Sequence, residues 1–290
     1  MTLSATLVLT LVLSIAIGLS LGLLGGGGSI LTVPILAYVA GLDAKEAIAA
    51  SLFVVGVTSA VGVVSHARAG RVRWRTGLVF GGAAMAGAFG GGLLGGFVPG
   101  QILMVAFALM MLATAAAMIR GRRSSTEPRD GDLPVLTVLA EGLVVGLVTG
   151  IVGAGGGFLV VPALVLLGGL PMSAAVATSL LVIAMKSFAG LAGYLTTVQL
   201  DWPLVLAVTG AAVLGSFAGA RLAGIIPEAT LRRGFGYFVV VMGLFVLVQE
   251  LPNPAGLAVG LGAGGLALVS AICWYAVPTC PLRRAAPTSP

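Results

Sequence analysis

Residues 146–162 read GLVTGIVGAGGGFLVVP, and residues 18–34 read GLSLGLLGGGGSILTVP. At a shift of 128 residues Gly18 falls on Gly146, Gly22 on Gly150, Gly25 on Gly153, and Val33-Pro34 on Val161-Pro162. The match runs ungapped to about Met118, placing Ser51-Leu52 on Ser179-Leu180, Trp74 on Trp202, Gly87-x-Phe89 on Gly215-x-Phe217 and Pro99 on Pro227. Roughly a third of the overlaid positions are identical. Shared apolar composition does not account for that much, and internal repeats of this kind mark secondary transporters. The chain is a duplication.

Composition places the duplicated unit in a bilayer. Of 290 residues 59% are hydrophobic and only 8% charged, with a mean hydropathy of +1.15. A soluble domain carries about 25% charged residues, so a soluble enzyme, a nucleic-acid binder and a disordered chain are all excluded. Apolar stretches long enough to span occur at 3–24, 44–65, 75–97, 100–119, 134–152, 173–195, 203–224, 231–250 and 255–277. About 20 residues suffice at 1.5 Å rise each. Residues 2–24 lack a basic leader and read as the first membrane segment rather than a signal peptide. Two shorter stretches, 29–41 and 157–170, follow the glycine runs and contain Pro34 and Pro162. They read as half-helices, re-entrant segments or short tilted crossings.

Arginine placement orients the halves. All thirteen arginines fall at 68–75, 120–129, 221–233 and 283–284, which the positive-inside rule assigns to the cytoplasm. The basic loop at 66–74 overlays 194–202, which carries Asp201 and no arginine; the uncharged Pro99-Gly100 overlays a stretch that leads to Arg232 and Arg233. The charge changes sides between copies, as in an inverted repeat with an odd number of crossings per half. The expected architecture is therefore an all-α polytopic bundle of two inverted-topology repeats with glycine-broken or re-entrant helices. Its parts are a first repeat (1–119), a cytoplasmic linker (120–133), a second repeat (134–250), and an extra C-terminal helix with a cytoplasmic tail (251–290). The only histidine, His66, reads as a loop residue, and Trp74 and Trp202 as interfacial anchors on opposite sides. Cys273 and Cys280 make no metal or disulfide framework.

Three features bear on chemistry. First, the runs at Gly25–Gly28 and Gly153–Gly157 break a helix, since glycine costs about 1 kcal/mol relative to alanine inside one. Broken helices inside a membrane protein expose backbone donors only where they line a cavity or are buried in protein, and a helix N-terminus suits an anion. Gly27, Gly28 and Ser29 in one half and Gly155, Gly156 and Gly157 in the other are thus candidate substrate contacts; the competing account is close helix packing through small residues. Second, Lys186 lies deep in the 173–195 segment, where a charge costs at least about 2.5 kcal/mol. Its counterpart is Thr58, so the symmetry breaks where one positive charge would matter. It is a candidate anion ligand or proton exchanger; otherwise it forms a structural ion pair, with Glu141 the partner to expect. Third, Ser51, Thr178 and Ser179 follow the glycine breaks and offer hydroxyls to an anion, or bond back to their own helices. Glu141, opposite the apolar Leu13, is a candidate proton carrier, or else lies close enough to the interface to be solvated. No catalytic or metal motif is present in the sequence and no cofactor is implied.

The pattern Gly-x-x-x-Gly-x-x-Gly-x-Gly-Gly-Gly-x-x-x-Val-Pro at Gly146–Pro162 resembles the signature of the TauE/SafE sulfite-exporter family of membrane permeases. So do Ala177-Thr178-Ser179-Leu180, Asp201-Trp202 and Leu231-Arg232-x-x-Phe235. The resemblance runs from about Gly18 to Val248 and includes the duplication. It implies a bacterial cytoplasmic-membrane secondary transporter that exports sulfite or an organosulfonate, with the lipid bilayer, a small anion and protons as partners and no nucleic acid. A homo-oligomer is compatible with it. A permease or passive pore for another solute, or a non-transporting scaffold, are the readings to set against it. The first copy departs from the second at Gly26, Ser29 and Ala50, which replace Ala154, Gly157 and Thr178, so the two halves need not contribute equally.

Overall fold

A computed structural model describes residues 3–24, 27–120, 135–153, 157–166, 170, 172–222 and 228–252. Expectations for Gly25, Gly26, Gly155, Gly156, the linker after Arg120, the 255–277 segment and both cysteines lie outside these residues. The described chain is helical: α1 (Leu3–Leu24), a 3₁₀ turn (Gly27–Leu31) leading into α2 (Thr32–Tyr38), α3 (Ala44–Arg68), α4 (Trp74–Phe97) and α5 (Gly100–Arg120). The second half supplies α6 (Val135–Val152), α7 (Gly157–Leu166), α8 (Met172–Tyr194), α9 (Trp202–Leu222) and α10 (Glu228–Glu250). From the third helix of each half onward the starts agree with the 128-residue shift: Ala44 with Met172, Trp74 with Trp202, Gly100 with Glu228. Five helices, those within 5–23, 44–68, 74–97, 174–194 and 202–222, are long and apolar enough to cross a membrane. His66 belongs to the last turn of α3 rather than to the loop that follows.

The halves are interlocked, not side by side. α1 packs along α9, and α6 packs along α4. Both seams are closed by glycines at backbone distance: a Cβ on Gly18 would lie 1.8 Å from the Ala212 carbonyl oxygen, and one on Gly146 2.2 Å from that of Ala84. Gly215 abuts Ile15 as Gly87 abuts Leu143, and Gly219 abuts Leu19 as Gly91 abuts Leu147. Every one of these contacts becomes its partner when 128 is added on one side and subtracted on the other.

The same contacts give direction. α4 runs parallel to α6, through Gly87 on Leu143 and Gly91 on Leu147, and parallel to α8, through Gly81 on Met185 and Gly92 on Gly190. α6 and α8 therefore point the same way, with the ten-residue α7, about 15 Å long, between them in the chain. Repeat counterparts run oppositely. α3 crosses α8 antiparallel, with Gly56 against Ser187 and Gly62 against Leu180. α5 lies antiparallel to α10, with Gln101 bonded to the Glu250 carbonyl and Gly243 against Met111 and Leu112.

Burial follows from this arrangement. α3 and α8 are the most enclosed of the long helices, whereas α1, α4, α9 and α10 turn Val12, Leu78, Leu94, Leu214 and Val241 outward. An apolar outer face is what a bilayer accepts. The α2 segment, which opens on Thr32 and carries Pro34 at its third position, is buried against the core.

Candidate functional site

Lys186 is 2% exposed in the middle of α8. Its Nζ donates to Thr149 Oγ1 at 2.6 Å, and the Thr149 hydroxyl donates in turn to the Val145 carbonyl one turn back on α6 at 2.7 Å. Glu141 is not the partner. It sits eight residues before Thr149 on α6, about 12 Å along the axis, and is half-buried. Among the described residues Lys186 meets no carboxylate. Two of the three ammonium donors are left for something other than Thr149.

Thr149 is the residue the sequence reading passed over. A signal for it exists in the repeat: Thr149 overlays Leu21, just as Lys186 overlays Thr58. The first half carries a buried Leu21 and a Thr58 that bonds back to Val54 and Val55. Both departures from symmetry thus fall on the two residues that touch.

The glycine motif divides into two roles. Gly146 and Gly150 pack α6 onto Ala84 and Ala88 of α4, which is the close-packing account. Gly153 ends α6 at φ +69°, and a Cβ there would lie 2.1 Å from Ile48 Cγ2. That position accepts only glycine, because it is both left-handed and in contact with α3. Its carbonyl accepts a 2.7 Å hydrogen bond from Ser51, which also donates to Ile48. Ser51 therefore ties α3 to the break in the other half. Ser179, its counterpart, donates to the Val176 carbonyl on its own helix. Thr178 accepts from the backbone N–H of Arg73, the residue just before α4, at 3.0 Å. Gly27, Gly28 and the buried Ser29 form the 3₁₀ turn ahead of α2, and Gly157 opens α7.

At the opposite end of α4 from Arg73, a cavity of about 440 Å³ is lined by Asp43, Lys45, Glu46, Gly100 and Thr197–Gln199. Lys45 is held there by the Gly96 carbonyl at 2.7 Å. Arg68, Arg71, Arg73 and Arg75 are exposed at the other end. The exposed Trp74 and Trp202 begin helices at these two different ends, since Gly96 near the end of α4 abuts Thr197 just ahead of α9.

A bundle of apolar-faced helices that encloses Lys186 among the described residues has the architecture of a polytopic membrane protein. Residues 10–246 match the family model described as "Sulfite exporter TauE/SafE", and the chain belongs to that family. It is 31% identical over 231 residues to a "Probable membrane transporter protein" of Xylella fastidiosa, covering 78% of this chain and 88% of that one. A similarly named protein of Methanocaldococcus jannaschii is 28% identical over 244 residues, covering 78% and 90%. One of Bacillus subtilis is 25% identical over 228 residues, covering 77% and 93%. No solved structure matches the chain.

Proposed function

We infer that the protein is a secondary transporter that exports a small sulfur-containing oxyanion, sulfite or an organosulfonate, across a bacterial cytoplasmic membrane. The observation that carries this is Lys186: one ammonium, enclosed in α8, hydrogen-bonded to a hydroxyl and not to a carboxylate. An unneutralised cation in a low-dielectric interior is costly, and an anion that visits it removes that cost. The family description names sulfite, which agrees in charge. Ser51, Thr178, Ser179, the Gly27–Ser29 turn and Gly155–Gly157 are the further contacts in this reading, once their present partners are exchanged for the anion.

Alternating access follows from two inverted repeats that rock about the site between them. The antiparallel crossing of α3 with α8 and the exchange of contacts under the 128-residue shift support it. In this reading the linker and the C-terminus face the cytoplasm, which the arginine clusters support through the positive-inside rule. Glu141 is the proton carrier in this scheme, since it is half-buried on the helix that holds Thr149. In proteoliposomes, Lys186→Met is expected to abolish sulfite flux while leaving insertion and thermal stability in detergent intact. A Lys186→Met protein that transports like the parent would overturn the reading.

A further inference from the structure

Buried hydroxyls in this protein follow a rule with few exceptions. Thr10, Ser14, Ser51, Thr58, Thr149 and Thr209 all donate to a carbonyl three or four residues back on their own helix, which is the ordinary way to satisfy a hydroxyl in an apolar medium. Thr32, Ser59 and Ser187 break it: they are 0%, 1% and 0% exposed, and none of the three hydroxyl oxygens has a hydrogen-bond partner. Thr32 is the first residue of the short α2, whereas Ser59 and Ser187 lie well inside α3 and α8.

These two serines are repeat counterparts at the 128-residue shift. Both lie in the antiparallel α3–α8 crossing. Ser187 Cβ is 3.4 Å from where a Cβ on Gly56 would stand. Ser59 lies between Gly56 and Gly62, the two glycines of α3 that face α8; this holds both along the helix and around it, by the 100° turn per residue. Along the axis the hydroxyls are offset by about one turn or less, on the order of 4.5 Å. The next residue back on α8 is Lys186, and on α3 it is Thr58. Between Ala47 and Arg68 and throughout α8 there is no acidic residue, so the crossing has nothing to neutralise a bound cation.

We propose that Ser59 and Ser187 are a repeat-related pair of hydroxyl donors to a small oxyanion, which enters the α3–α8 crossing beside Lys186 when the two helices part. The packing described here is then the closed form of the path, and the unpartnered hydroxyls are the groups kept in reserve for the anion. This deepens the anion-transport reading and rests on it. It also differs from a packing role in a measurable way. Removing an unpartnered buried hydroxyl deletes no bond from the closed form, whereas it deletes a charge-assisted bond from the loaded one.

The test compares the parent with Ser59→Ala, Ser187→Ala and the double variant, using sulfite as the probe. Flux in proteoliposomes and the thermal midpoint in detergent, with and without sulfite, are read for each. Each single variant is expected to raise the KM for sulfite about tenfold with an unchanged or higher midpoint in its absence. The double variant loses the sulfite-induced rise in midpoint, and Ser187→Thr, which keeps a hydroxyl, retains it. Parent-like KM in both single variants overturns the proposal, as does a loss of flux matched by a lower midpoint without sulfite. A parent that neither moves sulfite nor is stabilised by sulfite, thiosulfate or sulfoacetate overturns the anion-transport reading itself and the ligand proposed here with it.

Discussion

Thr149 holds Lys186 by one hydrogen bond, and that bond separates the second half of the chain from the first. Thr149→Val keeps the shape and removes the acceptor, leaving a buried ammonium with no partner among the described residues. Loss of a hydrogen bond to a charged group is worth roughly 1.5–3 kcal/mol. Thr149→Val is therefore expected to cut sulfite flux tenfold or more, and Thr149→Ser to preserve most of it; initial rates in proteoliposomes decide. Installing the pair in the other half is a stricter check. Leu21→Thr with Thr58→Lys is expected to lower the thermal midpoint, because there the second cation would enter a core that holds Ile17, Leu21 and Val54. At this scale the sequence was informative about Lys186, whose depth follows from counting residues along an apolar helix. It was uninformative about the partner. Glu141 is the only carboxylate of α6, yet helix register puts it two turns from the lysine, and register between helices depends on packing that no single helix encodes. Thr178 shows the same limit: its hydroxyl oxygen looks free in sequence and accepts the Arg73 N–H.

Among elements, the α4–α6 and α1–α9 seams set how close the backbones come. Substituting Gly87 by leucine would drive a Cβ to within 2.1 Å of the Leu143 carbonyl oxygen, and Gly215→Leu would do the same at Ile15. Overpacking of this kind typically costs about 1–3 kcal/mol, and more where backbone is the obstacle. Both variants are expected to lower the detergent thermal midpoint by similar amounts, whereas Gly82→Ala, with open space around it, leaves it unchanged. Helix boundaries were legible, because apolar length and the Arg, Gly and Pro that end it are local properties. The roles within the glycine motif were not. Gly146, Gly150 and Gly153 look alike in sequence, and only the presence of α4 beside the first two and Ile48 beside the third distinguishes a packing seam from a helix end.

For the molecule as a whole, the proposal that the repeats are inverted makes a topological prediction. The turn at Gly70 and the turn at Gln199 occupy equivalent places in the two halves, near the shift of 128. They lie at opposite ends of α4, to judge from Thr178 on Gly77 and Thr197 on Gly96. In a background with both native cysteines replaced, a cysteine at 70 is expected to react with an impermeant maleimide only from the cytoplasmic face. A cysteine at 199 is expected to react only from the outer face. Reaction of both from one side would rule out inverted repeats. Proton coupling belongs at this scale too: collapsing the pH gradient is expected to stop uphill sulfite movement while leaving sulfite–sulfite counterflow.

The cross-clasped packing also bears on how the protein is made. α1 finds its groove on α9, which the ribosome delivers about 180 residues after α1 itself, or on the order of ten to forty seconds of synthesis. Until then the glycine face of the first helix has no docking surface of its own kind. Either half synthesised alone would expose an unfilled seam. The insertion machinery must therefore hold the earliest helix in waiting, and the fold closes only when the ninth arrives.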